Sequence, residues 1–353
     1  MSKWIYSFLL ILLVSLAACS TSNGSNTGGT ENSQPKVRGV KDVDVLNSHG
    51  SVEGLNRLSQ FYTDVQEGVT SDLRIVHYTI EGDPMVTDLA YDGESLEITD
   101  DTTRDNYGEG SIRSISCGDL KKEINPTNTS YIAIDCDNAR YELFNILEIS
   151  YNMGQQDRFD FVLQYGPDLD NEISTLTDHS KLPDSVKQEV YKRLVFANYL
   201  DEKVFKNTCT TEEATNYYLQ VYINGGERNF RFASCGETED SLNFTKIATY
   251  IVEQSETSHP EEPKTVQGYV LEVKDNSILI GEDFNRLDYH SIKDTLKENE
   301  LSVFALDFVY LEGLNEEEFQ LGDKIHATID GEIIGSQPGR ATMKEIAKIE
   351  ASE

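Results

Sequence analysis

Residues 73–99 read LRIVHYTIEGDPMVTDLAYDGESLEIT, and this stretch decides the fold class. Apolar and polar side chains alternate over 73–80, 85–91 and 96–99, the period-two signature of half-buried strands. Asp92-Gly93 between two such runs predicts a type I′ hairpin turn. Upstream, Leu55, Leu58, Tyr62 and Val65 recur at spacings of three and four. That periodicity predicts an amphipathic helix, capped by Ser51 or Asn47 and ended at Gly68. Downstream, further strand-like runs occupy 112–117, 131–136 and 141–151. One helix followed by an antiparallel meander argues an α+β domain, placed at 41–165.

A second block spans 182–254. Pro183 precedes a helical stripe of Val186, Val190, Leu194 and Ala197. Two strand-like runs then flank Asn224-Gly225-Gly226, a hairpin signal, and Phe244, Ile247 and Ile251 mark a closing helix. The order α-β-β-α predicts a small unit, read as a domain of its own. Residues 255–264, with Pro260 and Pro263 among acidic neighbours, form a linker. The last block, 265–353, offers strands at 266–273, 278–281, 303–311, 324–329 and 341–349, with a short helix at 291–299. Five strands and one interposed helix predict a small OB-like β-barrel. Phe304, Phe308 and Tyr310 alternate within one strand and are expected to line its interior.

The chain of 353 residues carries 30 Lys and Arg against 62 Asp and Glu, a net charge of −32. Such a body repels phosphate backbones. The barrel block alone has 8 basic against 19 acidic residues, so the stacking groove that some OB barrels offer to single strands is excluded. No Gly-x-Ser-x-Gly, His-Glu-x-x-His or P-loop motif occurs. Gly108-Glu109-Gly110 meets Arg113 where a dinucleotide loop needs glycine, and reads as a turn. Asp168, Asp170 and Glu172 alternate as in a calcium loop, but Ile173 stands where its glycine belongs. The six histidines are scattered; His49 and His77 are the two of interest, with His77 read as a structural mid-strand residue. No catalytic residue, metal site or cofactor is expected.

The N-terminus has a separate story. Lys3 precedes an apolar run over 4–16, too short for the roughly 20 residues a spanning helix needs. Leu16-Ala17-Ala18-Cys19 follows, and it resembles the lipobox of bacterial (Bacillus-type) membrane lipoproteins. The resemblance implies cleavage of a signal peptide at 1–18 and a diacylglyceryl group on the Cys19 sulfur, whose two chains anchor durably. Residues 19–40 then form a flexible tether. Its sixteen Ser-, Asn-, Thr- and Gly-rich residues up to Pro35 reach about 20–25 Å. The expected location is the extracytoplasmic face of the membrane.

Four cysteines remain: Cys117, Cys136, Cys209 and Cys235. An even number outside the cytoplasm predicts disulfides. Three connectivities are open, and pairing within each predicted domain, Cys117–Cys136 and Cys209–Cys235, is the expectation. No Cys-x-x-Cys pair or spaced histidine supports zinc.

Further motifs extend the lipoprotein likeness. The first block carries Asn47-Ser48-His49-Gly50, Leu73 to Thr79, Glu81-Gly82-Asp83-Pro84 and Asp88 to Gly93, followed by Cys117 and Cys136. It resembles domain-of-unknown-function family 4362. The last block carries Gly268-Tyr269-Val270, Ile278-Leu279-Ile280, Leu321-Gly322-Asp323-Lys324 and Pro338-Gly339-Arg340-Ala341, and resembles family 3221. Neither resemblance implies an activity. The expectation is a non-catalytic binding or interaction module of the cell envelope, its protein or small-molecule ligand unknown. A solute-binding lipoprotein of a transporter and an envelope enzyme of unrecognised type are the alternatives.

Overall fold

The computed structural model describes residues 35–177, 182–205, 214–257, 263–274, 276–293, 307–313, 319–335 and 338–349. It is an α+β protein with three antiparallel-dominated sheets and a closed C-terminal barrel.

The first sheet holds β1 (Val45–Ser48), β2 (Ser51–Glu53), β3 (Ser71–Tyr78), β4 (Pro84–Tyr91), β5 (Leu96–Asp101) and β6 (Ile112–Cys117), ordered β2-β1-β3-β4-β5-β6. The alternating runs of 73–99 thus become neighbouring antiparallel strands. A short hairpin, unforeseen in the sequence, precedes the helix, and β1 pairs parallel to β3. Helix α1 (Leu55–Gln66) makes that crossover and buries Leu58, Phe61 and Val65 against the sheet.

Its ends correct one expectation and confirm another. Ser51 and Asn47 do not cap α1, because both are strand residues; the N-cap is Gly54, at φ 79° with no side-chain cap. Only glycine fits there, since a Cβ would run into the Asp44 carbonyl. At the other end Gly68 (φ 69°) donates to Val65 O at 3.1 Å and Val69 to Asp64 O at 2.8 Å, a Schellman termination. The β4–β5 turn is also different from the type I′ expected. Tyr91 faces Leu96, so the loop has four residues, 92–95, and only Gly93 has positive φ. The Asp92 carboxylate organises it by accepting the N–H groups of Glu94 (2.9 Å) and Ser95 (2.8 Å).

A second sheet contains β7 (Asp119–Ile124), β8 (Asn128–Ile134) and β9 (Leu143–Ser150). The Cys117–Cys136 disulfide joins the end of β6 to the residues after β8, as expected. The third sheet, β11-β10-β12-β13, combines β10 (Phe159–Gly166), β11 (Asn171–Ser174), β12 (Asn216–Ile223) and β13 (Gly226–Ala233). Asn224 and Gly225, at φ 49° and 82°, form the two-residue β12–β13 turn. Helices α2 (Asp184–Phe196) and α3 (Glu239–Glu256) complete the expected α-β-β-α order.

The boundary drawn at 165 falls inside β10, whose partner β12 lies in the second block. One continuous core, from Val45 in β1 to Ile251 in α3, runs through both blocks. Alternation marks a strand but not its distant partner, so sequence patterning divided what packing joins.

The barrel closes as β14-β15-β16-β18-β17, from β14 (Thr265–Lys274), β15 (Ser277–Glu282), β16 (Phe308–Glu312), β17 (Lys324–Ile334) and β18 (Gly339–Lys348). Only β16 and β18 pair in parallel, a Greek-key arrangement of the OB type. Helix α4 (Arg286–Ile292) lies earlier than the 291–299 expected; 294–306, and with them Phe304, lie outside the described residues. Phe308 and Tyr310 do not line the barrel interior. Val309 and Leu311 do, and the alternation turns the two aromatics outward, where they pack with Phe284 and Ile292 beside α4. No helix of the described residues is long and apolar enough to cross a membrane.

Candidate functional site

Ionisable groups converge where the β7–β8 hairpin meets the barrel. In β7, Leu120 turns into the shared core and Lys122 stacks over the core ring of Tyr131, so alternation sends Lys121 and Glu123 to the opposite face. Glu123 is 8% exposed and meets four donors. Its Oε1 accepts from the Tyr269 hydroxyl (2.9 Å) and Arg286 Nε (3.1 Å); its Oε2 accepts from the Arg286 backbone N–H (3.1 Å) and Lys324 Nζ (3.2 Å). Two carboxylate oxygens offer about four acceptor sites, so this one is saturated. Burial and the Glu123 charge push the Tyr269 phenol far up, which keeps it a donor. Burial also lowers the Lys324 ammonium, against the pull of Glu123.

A belt of amide contacts flanks this node. The Asn125 and Asn128 side chains donate to the Asp283 carbonyl (2.9 and 3.1 Å), and Gln267 donates to the Ile124 carbonyl (3.0 Å). Thr127 donates to Asp283 Oδ2 (2.6 Å), and Asn285 donates to Glu148 Oε2 (2.9 Å). The Tyr151 hydroxyl, pushed up to about 12 by burial, lies within 2.8 Å of the Asn125 carbonyl and steadies the hairpin turn. Four carboxyls near the junction are raised, chiefly by burial: Glu148, Asp283, Asp288 and Glu282, the last to about 7. Asp283 Oδ1 is buried without a hydrogen-bond partner among the described residues, which favours its protonated form.

Beside the node lies a cavity of about 370 Å³. Lys121, Lys122 and Ile124 form its wall from the hairpin; Tyr269, Arg286 and Lys324 form it from the barrel. The lining carries four Lys and Arg against two acids, Glu123 and Asp323, the reverse of the chain's overall balance.

The residues singled out in the sequence lie elsewhere. His77 is half-buried in β3, 3.4 Å from the Asn47 amide, and burial lowers its pKa. His49 sits in the exposed β1–β2 turn at φ 51°. Glu172 accepts from Gln164 (3.1 Å), and no group of three or more His, Cys, Asp or Glu among the described residues is placed to hold a metal. Cys235 is disulfide-bonded, but Cys209 and Cys19 lie outside the described residues. Of the junction residues, Tyr269 and Lys324 stood inside the motifs of the second resemblance; Glu123 and Arg286 carried no signal.

Residues 42–132 match the family model described as a domain of unknown function (DUF4362), and residues 267–350 match the one described as a protein of unknown function (DUF3221). Each match covers about a quarter of the chain. The DUF4362 match contains Glu123, Asn125, Thr127 and Asn128, and the DUF3221 match contains Gln267, Tyr269, Asp283, Arg286 and Lys324. The node and the cavity therefore lie between two matched domains. The crystal structure of a yobA protein from Bacillus subtilis subsp. subtilis str. 168 aligns over 26% of this chain and 100% of its own, at 17% identity and a TM-score of 0.21. No curated protein matches the chain.

Proposed function

We propose that the protein is a membrane-anchored cell-envelope lipoprotein whose folded body binds a ligand, without catalysing a reaction, in the cavity between its DUF4362 and DUF3221 domains. The observation that carries the binding reading is the cavity of about 370 Å³ at a domain junction, walled by a few convergent polar groups. Clefts of this size and position are where small-molecule sites most often lie. The saturated Glu123 node supports it, because four donors hold the wall in one geometry before any ligand arrives. Leu16-Ala17-Ala18-Cys19 behind an apolar run supports the anchor.

Two experiments test the two halves. Cys19→Ser is expected to move the protein from the membrane fraction to the soluble one; retention in the membrane overturns the anchor. Thermal-shift screening of the full chain against sugars, peptides and small metabolites is expected to find a stabilising compound whose effect disappears in Ile349→Trp, a change that fills the cavity from its lining. Hydrolytic or transfer activity abolished by His77→Ala would overturn the non-catalytic reading.

A further inference from the structure

The ligand class follows from charge, and rests on the cavity being the binding site. We infer that the junction cavity takes a small anion bearing a carboxylate or phosphate group. Lys121, Arg286 and Lys324 line it, in a chain with about two acids for every base. Each lining acid is already engaged. Glu123 faces two cations and a phenol, and Asp323 takes Lys348 at 2.7 Å. Lys121 has Asp119 at 2.8 Å, and the Lys122 ammonium, 5.5 Å over the Tyr131 ring on the opposite face of β7, is left out of the balance. Counting these partners, four cations stand against three carboxylates around the cavity.

The other junction acids, Asp283, Asp288 and Glu148, are not in the lining, and burial favours their neutral forms. Positive charge in a partly desolvated cleft attracts an anion more strongly than the same charge in water. Arg286 adds geometry, since Glu123 takes its Nε–H and Tyr269 a further contact, while a guanidinium has five N–H donors in a fork that suits carboxylate or phosphate. The cavity's walls come from both domains, so a bound anion bridges Lys121 of the hairpin and Arg286 of the barrel.

Isothermal titration of the full chain at low salt, with citrate and inorganic phosphate as probes and glycerol as neutral control, tests the inference. Saturable heat is expected from an anion and none from glycerol. Affinity should fall as salt is raised and drop about tenfold in Lys121→Met, the loss of one charge-assisted contact. Binding should vanish in Ile349→Trp, which leaves the four donors of Glu123 in place. No saturable heat from either anion, or anion binding unchanged in Ile349→Trp, overturns the inference. A neutral compound bound in an Ile349→Trp-sensitive manner, with no anion bound, overturns the anion class while leaving the cavity as a binding site.

Discussion

Glu123 draws its donors from three elements of the barrel, so one side chain fastens two domains. Glu123→Ala removes the acceptor that Arg286 and Lys324 share and leaves two partly buried cations without it. A loss of about 3 kcal/mol is expected from equilibrium urea unfolding. Glu282 gives a pH signature instead. Its carboxyl, ordinarily near 4.5, is held up to about 7 by burial and then by Asp283 and Asp307. The folded protein keeps a proton that the unfolded chain has released, so the associated stability is whole below the ordinary value and is lost as pH rises through the folded one. Glu282→Gln should therefore raise the Tm at pH values above neutrality, by an amount corresponding to about 3 kcal/mol, and change little under acid conditions. At this scale the sequence was partly legible. Tyr269 and Lys324 stood in quoted motifs, but Glu123 sits in Lys121-Lys122-Glu123, which reads as a solvated run until packing buries one member.

Among the elements, two glycines at the ends of α1 make opposite cases. Both have positive φ, but a side chain at Gly54 meets the Asp44 carbonyl, whereas one at Gly68 meets only the Gly93 carbonyl at 3.9 Å. Gly68→Ala should cost about 1 kcal/mol, the backbone strain alone. Gly54→Ala should cost at least about 2 kcal/mol, because β1 must shift as well. Denaturant midpoints of the two variants check the difference. Strands whose alternation was clean, β3 to β6, were readable within a few residues. The missed ones have physical reasons: β1, β2 and β11 are three or four residues long, β7 is mostly charged, and β10 is buried on both faces and so lacks the alternation. Phe308 and Tyr310 were assigned to the correct strand but the opposite face, since period two fixes which residues share a side and not which side is inside.

For the whole molecule, the large shared core and the polar barrel junction are different kinds of contact. The core from β1 to α3 is apolar and continuous, while the junction is held by ion pairs and amide contacts. A protease site inserted between α3 and β14 and cleaved should leave the two fragments together on gel filtration at low salt. High salt should separate them, because screening weakens the junction and not the core. Fragments that part at low salt would show that the node does not hold the domains. The fold class was legible because most neighbouring strands of the first sheet pair as local hairpins, and the barrel because its strands could be counted. The unity of the first two blocks was not, because it depends on pairing across a long intervening segment.

That pairing also sets an order of events. Phe159, Phe161 and Leu163 of β10 bury against the core in a sheet that β12 completes, with Phe159 opposite Ile223. A chain emerging from its N-terminus must hold these side chains in waiting until residues 216–223 arrive, and closing so long a loop is slow. The barrel faces a closure of similar length, since Thr265 of β14 pairs with Thr328 of β17, but it adds that wait only after the first body is complete. The interval before β12 docks is thus when the N-terminal body is most exposed to aggregation and most in need of a chaperone.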